Sequence, residues 1–160
     1  MTTRPIRIRR AVPQERERLA TIAYAAKARW GYARETLDAW LPELSPSARS
    51  LVRQPSFVAE VASDVAGWCQ IDLESHPIEL AHFWVHPDFQ RRGVGRALLE
   101  AVLAHLRPLD VTSLAIDADP NAEGFYLAAG AIRQGSRRAP IPGDPARVRP
   151  QLLLSIASRR

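Results

Sequence analysis

The chain has 160 residues, 46% of them apolar, and one cysteine, which suits a single domain over residues 1–160 and excludes disulfide staples and a cysteine-based zinc site. No apolar run reaches the ~18 residues that span a bilayer, and no apolar stretch backs the charged N-terminus, so neither a membrane partner nor a signal peptide is expected and the setting reads as cytoplasmic. Net charge is +5, carried almost wholly by arginine, with Lys27 the only lysine; the arginines are scattered, which argues against nucleic acid and favours a small polyanionic ligand.

Usage rich in arginine, alanine and proline suggests a GC-rich, bacterial genome. In chain order, Ile6, Ile8 and Val12 mark a first strand, with arginines at alternate positions. Pro13 opens a helix to about Arg29, with Leu19, Ile22, Ala23 and Ala26 at helical spacing. A second helix is predicted from Arg34 to Leu41, ending before Pro42. Pro46 and Pro55 bracket a short segment. Ser56–Val61 alternates as a strand, Ser63-Asp64 reads as a hairpin turn, and Val65 to Leu73 is the return strand. Within it Cys69 reads as a buried small residue rather than a nucleophile.

Glu79 to His86 is the most strand-like run of the chain. Gly93 to Leu106 reads as an amphipathic helix, with Val94, Ala97, Leu98, Ala101, Val102 and Leu106 on one stripe. Val111 to Ala118 is a strand and Asn121 to Ala129 a short helix stopped by Gly130. Ala131 to Gln134 and Val148 to Ile156 supply the last strands, around a loop from Pro140 to Pro145. The order predicts an α/β layer structure with a mixed sheet of six or seven strands and helices on both faces.

Between the fourth strand and its helix lies Gln90-Arg91-Arg92-Gly93-Val94-Gly95-Arg96. Glycines let a backbone approach a ligand closely, and the first helical turn offers unpaired N–H groups at the positive end of the dipole. A diphosphate fits that arrangement. The stretch is neither a Walker loop nor a dinucleotide fingerprint, since no Gly-Lys-Ser/Thr follows and the third glycine is missing.

Gln90 to Ala97 resembles the acyl-CoA loop, Q/R-x-x-G-x-G/A, of the GCN5-related N-acetyltransferase (GNAT) superfamily, and Val85-His86-Pro87 is similar to the end of that family's fourth strand. Asp119-Pro120-Asn121-Ala122-Glu123-Gly124-Phe125-Tyr126, with Gly130, resembles its N-x-x-A-x-x-F-Y-x-x-x-G region. Asn121 sits closer to the tyrosine than in many members, Asp119 occupies the place where their asparagine often lies, and Ala131 replaces the usual aromatic. The resemblance implies a GNAT fold splayed between strands 4 and 5, acetyl-CoA as cosubstrate, an amine acceptor, and no metal. Dimers are common in that family, and the apolar strand Leu152 to Ile156 could be shared between subunits.

It also implies roles. Backbone groups from Arg91 through Arg96, with Gln90, would hold the CoA diphosphate; Phe83 and Val85 would pair with pantetheine, and Asn121 and Tyr126 would lie beside it. Tyr126 matches the general acid for the leaving thiolate. A base is often carried on the fourth strand, at positions that fall here on Glu79 and Ala81, and only Glu79 can act. Alternation sets Glu79, Ala81, Phe83 and Val85 on one face and His82 and His86 on the other, so His82 or ordered water stays the alternative base. For the acceptor, Lys27, Trp30, Tyr32, Gln70 and Asp72 are the main candidates, with Trp40, Trp68 and Glu74 behind them. A small-molecule amine is expected; a protein or peptide acceptor, or an acyl-CoA-binding module without turnover, are the rivals.

Overall fold

A computed structural model describes residues 4–157. Its elements are β1 (Ile6–Arg10), α1 (Arg16–Ala28), α2 (Arg34–Leu44), α3 (Ala48–Arg53), β2 (Ser56–Val61), β3 (Asp64–Asp72), β4 (Glu79–Val85), α4 (Val94–Leu106), β5 (Ser113–Asp117), α5 (Glu123–Ala128), β6 (Ile132–Arg138) and β7 (Val148–Ser155). The strands form one mixed seven-stranded sheet in the order β1-β2-β3-β4-β5-β7-β6. β4 and β5 run parallel and pair at one register, Glu79↔Ala115, backed by the Ala115 N–H donating to the Ile78 carbonyl at 2.8 Å. So short a pairing is what a parting of these two strands requires. No helix among the described residues is long and apolar enough to cross a membrane.

The chain divides into two compact units. One runs to Ile71 and takes in His82–Ala104; the other joins Asp72–Ala81 to the stretch that begins at His105.

In the first unit Trp68 is fully buried among Leu19, Ile22, Leu51 and Val58, and its indole N–H donates to the Leu19 carbonyl at 2.8 Å. A buried indole needs such a partner, because an unmet donor away from water costs about as much as a lost hydrogen bond. Gly67, one residue earlier, points to the opposite face. A Cβ there would come within 2.7 Å of the Trp84 carbonyl on β4 and 3.2 Å of Val94 and Leu98 on α4, so the neighbouring backbone leaves no room for a side chain and α4 packs close against this face. Helices α1 and α4 therefore cover opposite faces of β3. Arg9 on β1 pairs with both Glu15 and Glu60. Burial pushes the Glu15 carboxyl up, but Arg9 and the Val12 amide outweigh it and hold it below the usual range. Cys69 is fully buried in β3, and burial pushes its thiol up to about 12.

In the second unit Leu114 and Ile116 of β5 and Leu152 and Leu154 of β7 are buried. Ala115, Asp117, Gln151 and Leu153 take the alternate face and are half-buried. Every residue of the edge strand β6 is exposed.

Three elements depart from the sequence expectations. Helix α2 continues past Pro42 to Leu44. Leu44 is buried, and the Ser45 hydroxyl donates to the Leu41 carbonyl at 2.7 Å, so packing and a local cap offset the amide that proline lacks. The β2–β3 turn is Ala62-Ser63, one residue earlier than expected: both have positive φ, 50° and 70°, and Val61 faces Asp64. That is the mirror-image two-residue turn whose twist suits a hairpin, built here without its usual asparagine and glycine. Strand β6 runs on to Arg138, past the expected end at Gln134, because its partner register continues to Arg138↔Val148.

Candidate functional site

The loop before α4 is built by its backbone. A 3₁₀ turn, Pro87–Phe89, is capped by His86, whose Nδ1 accepts from the Asp88 N–H at 3.1 Å. Arg91 and Gly93 then take left-handed φ values of 61° and 83°, the kind of bend in which successive amides can line a concavity that suits an anion. The first intrahelical bond of α4 runs from the Ala97 N–H to the Gly93 carbonyl, 3.0 Å. The amides of Val94, Gly95 and Arg96 therefore stand before the first rung of the ladder, at the positive end of a 13-residue helix. Arg91, Arg92 and Arg96 are exposed around them. Arg92 lies over the Phe89 ring at 5.6 Å, and Arg96 makes an exposed pair with Glu100 at 3.5 Å, worth well under about 1 kcal/mol. Gln90, also exposed, leads into the bend.

On β4, Phe83 and Val85 are half-buried. His82 sits on the other parity, its ring 4.7 Å from that of Trp68, and its Nδ1 accepts from the Trp84 indole at 3.2 Å. Burial pushes its pKa down to about 4, so at neutral pH it is an uncharged imidazole with one nitrogen already engaged. Lys27, near the C-terminal end of α1, is buried. Its ammonium lies 4.4 Å from the centre of the Trp40 ring, 5.5 Å from Tyr32 and 5.8 Å from Trp84, and Tyr32 meets Trp40 edge-on at 4.9 Å. The structure thus brings Lys27 and Tyr32 together with Trp40, and adds Trp84.

Trp30, half-buried just beyond α1, is not among those rings. Gln70, expected on the acceptor side, is buried, and its amide donates to the Ser50 and Ser56 hydroxyls, both at 3.1 Å. Those bonds tie β3 to β2 and α3. Trp68 belongs to the core already described.

Glu79 lies in the second unit, on the wall of a cavity of about 340 Å³ that Asp117, Gln134, Arg137, Gln151 and His76 also line. Strand alternation and the Glu79↔Ala115 register set Glu79 on the face that carries Asp117. Burial raises the Glu79 pKa first, and the charges of Asp117 and Asp72 add to it, against the opposing pull of Arg137 and Arg149. Asp117 is itself well held: Arg149 lies 2.9 Å away, Gln151 donates at 2.8 Å, and Arg137 donates at a longer 3.4 Å. Asp72 accepts from the Glu74 N–H at 2.9 Å. The sequence reading had no part for Asp117, Arg137 or Arg149. Alternation along Ser113–Asp117 is a signal from which Asp117 could be found; the two arginines become visible only through the β5–β7–β6 register.

Tyr126 is buried on α5, its ring edge-on to Phe125 at 5.3 Å, and its carbonyl accepts from the Ala131 N–H at 3.0 Å beside Gly130. Asn121 is exposed. Its side chain and its amide both donate to Asp119, at 2.9 and 2.8 Å, and Asp119 in turn pairs with buried Arg147 at 3.3 Å. Asp119, not Asn121, is the buried anchor of this turn. Among the described residues no group of three or more His, Cys, Asp or Glu could hold a metal ion.

Residues 24–139 match the family model described as the acetyltransferase (GNAT) domain. An uncharacterized N-acetyltransferase, ycf52, of Gracilaria tenuistipitata var. liui is 38% identical over 48 residues, 30% of this chain and 26% of that protein; the match thus spans about a quarter of the relative's length. Among solved structures, a GCN5-related N-acetyltransferase from Rhodopseudomonas palustris superimposes with a TM-score of 0.76 at 21% identity, covering 97% of each chain. The PaiA N-acetyltransferase of Thermoplasma acidophilum, in complex with coenzyme A, gives 0.71 at 16% identity, over 94% of this chain and 99% of that one.

Proposed function

The chain belongs to the GNAT family of acetyltransferases, and from that premise we propose that it transfers the acetyl group of acetyl-CoA to the primary amine of a small molecule. The observation that carries this reading is the bend at Arg91 and Gly93, which leaves three helix-start amides ahead of the ladder and surrounds them with arginines. The amides of Val94, Gly95 and Arg96 bind the diphosphate, and Arg91, Arg92 and Arg96 screen its charge. Gln90 positions the bend. Phe83 and Val85 offer β4 backbone groups to the pantetheine amides.

Acetyl-CoA supplies an acyl group already activated as a thioester. Glu79 removes the proton that keeps the acceptor amine from attacking, directly or through a water. A carboxylate with raised proton affinity is a better base near neutrality than an ordinary one. His82 is a poorer choice, since burial keeps it from holding a proton above about pH 4. Tyr126 returns a proton to the departing thiolate; a phenol of reference pKa about 10 can donate to a thiol of about 8.5 within hydrogen-bond reach. A cavity of about 340 Å³ beside Glu79 suits a small acceptor.

Purified protein given acetyl-CoA and a panel of small amines and N-terminal peptides should release CoA thiol with the small amines. Tight acetyl-CoA binding without release in any case would put a non-catalytic binding module in place of this reading. Release with peptides alone would move the acceptor to protein.

A further inference from the structure

Two walls of the Glu79 cavity differ in charge. Glu79 on β4 presents a carboxylate, and Arg137 on β6 presents a guanidinium whose side chain is 61% exposed. Arg137 gives Asp117 one long bond of 3.4 Å, while Arg149 and Gln151 already hold that carboxylate at 2.9 and 2.8 Å. Most of the five-donor fork of Arg137 is therefore open to the cavity mouth. The Nε of Arg149, the second guanidinium on Asp117, is buried without an acceptor. Asp117 thus leaves donors on both guanidiniums unanswered.

Resting on the reading of Glu79 as the amine's base, we infer that the acceptor is an amino acid or a similar small amino-carboxylate, its amine at Glu79 and its carboxylate on Arg137. A volume of about 340 Å³ holds both groups of one small molecule. Bidentate pairing suits a planar carboxylate and fixes which end of the acceptor meets Glu79. Gln134 and Gln151 line the space between with neutral polar groups. The other charged or titratable groups facing Glu79 are Asp72 on β3, His76 in the β3–β4 connection, Asp117 on β5 and Arg149 on β7. Asp72, with Glu79 itself, repels a carboxylate placed at that end, which reinforces the one orientation.

The test sets a series of L-amino acids, each beside its own carboxamide, against acetyl-CoA and follows thiol release. At least one acid should be turned over with a KM roughly tenfold below that of its carboxamide. Arg137→Gln should raise the KM for that acid about tenfold and close the gap between the two series, and Arg137→Lys should restore part of it. Equal turnover of acids and carboxamides, or a gap that survives Arg137→Gln, overturns the inference and leaves the amine-acetylating reading intact. Failure of both series with every amine overturns the two together.

Discussion

Asp117 faces the same side of the sheet as Glu79 and raises the proton affinity of that carboxyl, after the larger effect of burial. The acidic limb of the kcat/KM profile should therefore turn at a pH above the ordinary carboxylate range. Glu79→Gln should remove that limb and lower kcat by about 10²–10⁴-fold. Asp117→Asn takes a negative charge away, so Glu79 ionises more easily and the limb should move to lower pH. A limb that ignores both substitutions would assign the proton transfer to water.

Tyr126→Phe keeps the ring that α5 buries and deletes only the hydroxyl. It should lower kcat by about 10²-fold while the dissociation constant for acetyl-CoA, read by calorimetry, stays near the parent value. A loss confined to acetyl-CoA affinity would make the hydroxyl a binding group and not an acid.

Gly93 has room for a methyl group, since a Cβ there would meet only Ile6 at an ordinary 3.8 Å. The obstacle is its φ of 83°, which costs an L-residue roughly 1–2 kcal/mol. Gly93→Ala should lower thermal stability by about that amount. It should also weaken acetyl-CoA, because relaxing φ turns the amides of Val94 to Arg96 away. Full affinity in the variant would place the diphosphate elsewhere.

His82 binds its proton at about 4 in the folded chain and near 6.5 when unfolded. The unfolded state thus takes up the proton first as the pH falls. Stability should be full above about pH 6.5 and decline towards pH 4, by on the order of 3 kcal/mol from this residue. In His82→Phe that part of the decline should vanish from denaturation curves recorded across the window; a decline of unchanged size would assign it to other groups.

What could be read in advance follows from how local each feature is. The stripe Val94, Leu98, Val102 and Leu106 repeats at helical spacing, so α4 is visible in the sequence and all four are buried. The bend before it is also local, and glycine marks it. The turn at Ala62-Ser63 is local too, but it lacks the residues that usually announce one. Gln70 reads as a polar residue on a strand open to a ligand until the fold brings Ser50 and Ser56 beside it. Arg137 and Arg149 stand 20 and 32 positions beyond Asp117 in the chain. Only the order of β5, β7 and β6 makes them neighbours, and no periodicity encodes that order.

The burial of Cys69 makes the folded chain blind to thiol-seeking dyes. Its sulfur is fully enclosed and keeps its hydrogen far into alkaline solution, and the chain holds no second cysteine. Colour that such a dye develops with the protein alone, before any thioester is added, therefore reports the chain coming undone, and the intact fold adds no background of its own to an assay that follows a freed sulfhydryl.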